Sequence, residues 1–289
     1  MKTGHCLLCS CPRSVSIGEE LISGVSFTVV RCSRCSLIYI QGGYSPISPQ
    51  YVMLNEQDID AEYIWRQTKH KELAFRMCLK EVRRFQLYTP NSAVRYLLDV
   101  GCGIGGWMDA ARGQYECYGF DASPAQSNYA RQRFPNVRCS SSLSEYRTCF
   151  DGHLPYFDLI TLWDVLEHLR HPLDFMMELA PALSPTGVLF ASVPAATPMI
   201  VKNWLLSYGW PKSRFSWSPT EHVAYYSPKT LRLLCQKSKL EVVRMGSVDI
   251  YHRALSPFEL LRRFAFAMTR PLPSLSPQIY VLAKSNASR

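Results

Sequence analysis

No stretch of the sequence offers the roughly 18 nearly uncharged apolar residues of a membrane-spanning helix, which argues against an integral helical membrane protein. The opening residues Met1-Lys2-Thr3-Gly4-His5-Cys6 lack the continuous apolar run of a secretory signal, so the expectation is a soluble, cytoplasmic protein. Acidic side chains are in short supply: 23 Asp and Glu face 32 Lys and Arg, a formal net charge of +9. That balance favours anionic partners, including nucleic acid, phosphorylated metabolites or an acidic membrane surface, and does not choose among them. With 289 residues and 47% hydrophobic residues, the chain can bury one sizeable core and still carry a small module.

Eleven cysteines are present, and five precede residue 36. An odd count in a long chain, concentrated at one end, points to a metal site rather than a disulfide scaffold. Cys6-x2-Cys9 and Cys32-x2-Cys35 are separated by 22 intervening residues. Two such loops can bring four thiolates into a tetrahedral zinc site, whose binding energy helps fold a module too small for its own core. Apolar or alternating runs at residues 16–22 and 25–30 supply the short strands of a zinc ribbon over residues 1–41. Cys11 and His5 lie close enough to compete as ligands, but Cys11 breaks the paired spacing and reads as a packed cysteine. Residues 42–92 read as an irregular connection followed by a helical cap, with helix-forming side chains from residue 59 to 88.

Residues 94–100, Val-Arg-Tyr-Leu-Leu-Asp-Val, form a buried first strand by pattern. They lead into Gly101-Cys102-Gly103-Ile104-Gly105-Gly106 and a helix-compatible stretch, the arrangement in which small residues let a cofactor approach a tight turn. Gly101, Gly103 and Gly106 also satisfy the G-x-G-x-x-G fingerprint of nicotinamide sites, so the glycines alone do not select a cofactor. Asp99 sits where it can meet a cationic amino group. Asp121 ends the next strand, where it can accept two ribose hydroxyls.

The ordered series Leu97-Leu98-Asp99-Val100-Gly101-Cys102-Gly103-Ile104-Gly105, then Gly119-Phe120-Asp121-Ala122-Ser123, then residues 157–168 (Phe-Asp-Leu-Ile-Thr-Leu-Trp-Asp-Val-Leu-Glu-His), closely resembles the class I S-adenosylmethionine-dependent methyltransferases. That resemblance implies an α/β fold: a Rossmann-like, doubly wound, seven-stranded methyltransferase sheet over residues 93–289, with insertions near 194–227 and 249–275. It places Asp99, Gly101, Cys102, Gly103 and Gly105 around the methionine end of S-adenosylmethionine. It puts Asp121 and Ala122 at the ribose, residues near Ser141, Ser142 and Leu143 at adenine, and Trp163 and Asp164 on the cofactor's other side. Cys102 reads as a packing residue, since nothing nearby sets up a covalent nucleophile.

The acceptor is written less clearly. Histidine suits proton transfer near neutral pH. His222 leads as general base, because its insertion returns to the sheet; Glu221 would orient it, and Tyr225 or Tyr226 would shape the pocket. Glu167 and His168 follow the fourth strand and can reach the same place. The Glu167-His168 and Glu221-His222 pairs offer metal-ligand types, but neither follows H-E-x-x-H and no sequence rule brings them together.

The four-cysteine module, the methyltransferase core and Glu221-His222-Val223-Ala224-Tyr225-Tyr226 together resemble bacterial small-molecule methyltransferases, including sugar-modifying ones. The expected activity is therefore O- or C-methylation of a biosynthetic metabolite that is sugar-like, nucleotide-linked or lipid-linked. The final residues 229–289 carry 11 Lys or Arg against three Asp or Glu, a surface for an anionic or carrier-linked acceptor. Residues 253–270 interleave Phe and Leu with Arg262 and Arg263, which leaves open peripheral membrane association. Two alternatives stand beside the enzyme of small molecules: an RNA methyltransferase, disfavoured by the lack of a strong RNA-binding repeat, and a non-catalytic, cofactor-binding regulatory protein.

Overall fold

The computed structural model describes residues 5–22, 24–41, 54–86, 95–197, 200, 217–248 and 276–286. Most of the expected connection after residue 41, most of the insertion near 194–227, all of that at 249–275 and the basic stretch 253–270 lie outside these residues.

Seven strands form the main sheet: β4 (Tyr96–Val100), β5 (Glu116–Asp121), β6 (Val137–Cys139), β7 (Phe157–Trp163), β8 (Leu183–Pro194), β10 (Leu240–Ser247) and β11 (Gln278–Ser285), in the order β10-β11-β8-β7-β4-β5-β6. Strands β6, β5, β4, β7 and β8 run parallel, while β11 is antiparallel to both β8 and β10. This is the class I Rossmann-like methyltransferase arrangement, with the expected antiparallel final pair.

Burial on both faces explains the near-continuous apolar strands. Leu97, Leu159, Val188 and Leu282 pack with α2 (Glu72–Gln86), α3 (Gly106–Ala111) and α4 (Pro124–Arg131) on one face. Their neighbours Leu98, Ile160, Leu189 and Val281 pack with α5 (Leu143–Thr148), α6 (Pro172–Leu179) and α7 (Pro228–Lys237) on the other. The helices start where the chain supplies caps: Ser123 with Pro124 for α4, Ser142 for α5, and a Ser227–Thr230 capping box with Pro228 for α7.

The four-cysteine segment forms a second, smaller sheet from β1 (Ser14–Ile22), β2 (Val25–Cys32) and β3 (Ile38–Ile40). Its fourth strand is β9 (Ala224–Tyr225), supplied by the chain beyond the main sheet's fifth strand. One face of this small sheet buries Phe27, Val29, Ile38 and Ile40 against Trp217 and Tyr225. The other contributes Val30, Leu37 and Tyr39 to the same apolar cluster as Leu166 and Tyr226. The sheet is thus joined to the main body by strand pairing and by a shared core. Among the described residues, no helix is long and apolar enough to cross a membrane.

Candidate active site

The turn after β4 is shaped by its backbone. Gly101 has φ +67, a left-handed conformation that disfavours other residues, and a Cβ there would lie 2.6 Å from Val165 Cγ2. The amides of Gly101 and Cys102 both donate to the Phe120 carbonyl, at 2.8 and 3.1 Å, tying the turn to the end of β5. Asp121 completes the knot. Its two oxygens accept the amides of Gly103 and Ser123, each at 2.8 Å. Burial raises its pKa, and those two amides oppose the rise.

Above the turn opens a cavity of about 290 Å³ at the carboxyl ends of the parallel strands, where open α/β sheets bind ligands. Of the residues expected at a cofactor, Asp99, Gly101, Cys102, Gly103, Asp121, Ala122, Trp163 and Asp164 line it. Gly105, Ser142 and Leu143 do not. Gly105 is the left-handed N-cap of α3. The Ser142 hydroxyl caps α5 through the Glu145 amide at 3.1 Å, and Leu143 is buried in the core, so the wall there is made by the expected Ser141 together with Ser140.

Asp99 is 2% exposed, and burial pushes its carboxyl up to about 8, against a 2.7 Å hydrogen bond from Thr161. A buried acid on a cavity wall fits a ligand that brings its own positive charge. Three aromatic rings, Phe75, Trp107 and Trp163, meet edge-on or tilted with centroids 5.2–5.5 Å apart and close one side. Asp164, just past β7, holds φ +55, uncommon for a residue with a side chain. It is fixed by Gln278 Nε2 at 2.5 Å and Lys71 Nζ at 3.7 Å.

Within the stretch expected as a helical cap, the sequence singles out no cavity residue in α1 (Ala61–Gln67) or in the segment leading into α2. Tyr63, Gln67, Lys71 and Phe75 line the cavity, and the Tyr63 hydroxyl donates to Gln126 Oε1 at 2.7 Å. Their helical spacing reads as packing, and only the tertiary fold shows that they face the cavity.

The two Glu-His pairs do meet, in part. A ligand atom from each of Glu167, His168 and His222 lies within 4.8 Å of the others. His168 lines the cavity, its Nδ1 lies 2.6 Å from the Glu221 carbonyl oxygen, and its ring centroid is 5.0 Å from that of His222. Burial lowers both histidines, His222 to about 4, with His168 adding to the shift. His222 is not on the cavity wall; its ring meets that of His168 edge-on. Glu221 contributes its carbonyl rather than its carboxylate. Tyr226 is fully buried, and its hydroxyl donates to the Leu166 carbonyl at 3.3 Å. Glu167 is buried, and burial drives its carboxyl well above the usual range, helped by the nearby Asp164 charge.

The sulfurs of Cys6, Cys9, Cys32 and Cys35 also gather within 4.8 Å, with Cys6–Cys35 and Cys9–Cys32 each at 3.5 Å. A tetrahedral zinc with bonds of about 2.3 Å spaces its sulfurs about 3.8 Å apart, so this cluster fits a structural zinc. Cys11 is buried beside it and donates toward the Arg13 carbonyl at 3.6 Å.

Residues 70–245 match the methyltransferase domain family, and the chain belongs to that family. It is an S-adenosylmethionine-dependent methyltransferase of class I fold. Among solved structures it is similar to the plantazolicin methyltransferase BamL, at 14% identity and TM-score 0.53, over 82% of this chain and 93% of that one. It is also similar to an S-adenosylmethionine-dependent methyltransferase of Clostridium acetobutylicum, at 12% identity and TM-score 0.50, over 78% of this chain and 98% of that one. At these identities the likeness concerns the fold. No curated protein matches the sequence.

Proposed function

We propose that the protein transfers a methyl group from S-adenosylmethionine to an oxygen or carbon of a small biosynthetic metabolite, sugar-like or carried on a nucleotide or lipid. The observation that carries this reading is the continuity of one cavity from Asp99 and Asp121 to His168. Asp99 would take the ammonium of the cofactor's methionine end, Asp121 and Ala122 its ribose, and Ser140 and Ser141 its base. When bound, the cofactor supplies an electrophilic methyl on a sulfonium. A hydroxyl or carbon acid must lose a proton to accept that methyl. His168 is the imidazole on the wall, and the His222 ring meets it edge-on. Residues 61–86 form the cap over the cavity, while the cysteine cluster holds a structural zinc. BamL was solved with a triazolic desmethylPZN analog and SAH, a precedent for a small-molecule acceptor on this fold.

The test is incubation of the protein with methyl-labelled S-adenosylmethionine and separate fractions of metabolites, lipids and RNA. Label is expected in a low-mass or lipid-linked acceptor. Label confined to nuclease-sensitive RNA would overturn the small-molecule reading in favour of an RNA methyltransferase.

A further inference from the structure

We propose that Glu167, His168 and His222 form a binding site for a divalent first-row transition cation, opening on the cavity. Two segments 54 residues apart converge to make it: the short turn Leu166–His168 after β7, and the loop before β9. Each residue brings a ligand atom within 4.8 Å of the other two. A cation with bonds of about 2.1 Å holds its ligands about 3.0–3.5 Å apart, so the three side chains draw in by roughly 1 Å on binding.

Glu167 supplies an independent reason. It is 1% exposed, and among the described residues neither carboxylate oxygen has a hydrogen-bond partner. A buried polar group left this way is costly unless something pairs with it. Lys71, whose charge reaches it, is engaged with Asp164, and Asp164 is itself held by Gln278, so neither completes the site. A bound cation does.

The donor set matches the ion. One carboxylate and two imidazoles suit Mn, Fe, Co, Ni or Zn rather than the all-oxygen sites of Mg or Ca. The ligands are also held from outside, as metal-binding histidines usually are. The backbone carbonyl of Glu221, 2.6 Å from Nδ1, orients His168. The Val223 amide donates to the Glu167 carbonyl at 2.8 Å, and the Val223 carbonyl accepts the Ile40 amide at 3.0 Å. Three protein ligands leave positions for exogenous oxygens, and His168 borders the cavity from which these would come. Resting on the methyl-transfer reading, an acceptor hydroxyl bound there would be acidified by the ion and lose its proton to solvent, with His168 and His222 holding the ion rather than taking that proton.

The experiment adds Co2+ alone to the full-length protein with its cysteine site already filled by zinc, and follows the visible spectrum. One Co2+ per chain is expected, giving d–d bands without thiolate charge transfer. Glu167→Gln and His222→Phe should each weaken binding tenfold or more, with zinc content and circular dichroism unchanged. The near-isosteric Glu167→Gln decides alone if His222→Phe does not fold. Absence of saturable Co2+ binding, bands with thiolate charge transfer only, or equal affinity in the variants would overturn the site. The readout needs no turnover: Co2+ binding without methyl transfer would keep the site and sink the reaction, and the reverse result would do the opposite.

Discussion

A protein carrying both Cys6→Ser and Cys9→Ser is expected to lose its zinc, the fold of residues 5–41 and most of its methyl-transfer activity. In isolated zinc-finger modules the metal contributes roughly 10 kcal/mol or more of apparent binding free energy, which is folding free energy. The effect should travel further here, because the small sheet is not a detached appendage. β3 pairs with β9 through Ile38–Tyr225 and Tyr39–Ala224. Val223 then links Ile40 to Glu167. Melting β3 therefore releases the loop that holds His222 against His168. Zinc quantification, thermal unfolding and turnover on the same preparations check this. Full activity in a zinc-free double variant would show that the small sheet does not support the site.

Replacing His168 by Phe should lower kcat by about 10²- to 10⁴-fold, the usual contribution of a positioned acid–base or activating group. S-adenosylhomocysteine affinity should change little, because the glycine turn, Asp99 and Asp121 stay in place. His168 is singled out over His222 because it alone of the two lines the cavity. The measurement is steady-state kinetics on the acceptor found by label transfer, together with cofactor affinity for each variant. Undiminished turnover would remove His168 from the reaction. An equal loss of cofactor affinity would recast it as part of the cofactor wall.

The glycine-turn side of the cavity was legible in the sequence because it is local. Asp99, Gly101 and Gly103 lie on one strand and turn, and Asp121 ends the next strand, so one β-turn-α-β unit brings them together. The paired cysteine spacings likewise carry their own geometry. Of the residues expected at adenine, Ser141 faces the cavity beside Ser140, whereas Ser142 does not, since a serine that caps a helix has committed its hydroxyl. The histidine side of the cavity was not legible. The meeting of Glu167 and His168 with His222 depends on a two-residue strand, Ala224–Tyr225, pairing with β3 nearly two hundred residues away. Neither periodicity nor motif encodes such a contact. The same holds for Lys71, whose approach to Asp164 follows from how the first helices cross the sheet.

The most direct test of the central claim, that this cavity takes the methyl donor through Asp99, is calorimetric titration with S-adenosylhomocysteine in buffers of different ionisation enthalpy. Asp99 is neutral below about 8 in the free protein. An ammonium placed beside it favours the carboxylate, so binding at pH 7 should release a proton. That release should fade as pH rises above 8, where the carboxyl is already ionised, and vanish in Asp99→Asn. One S-adenosylhomocysteine per chain with this proton release is the predicted result. Absence of binding, binding of a nicotinamide dinucleotide in its place, or a heat indifferent to buffer at pH 7 would contradict it.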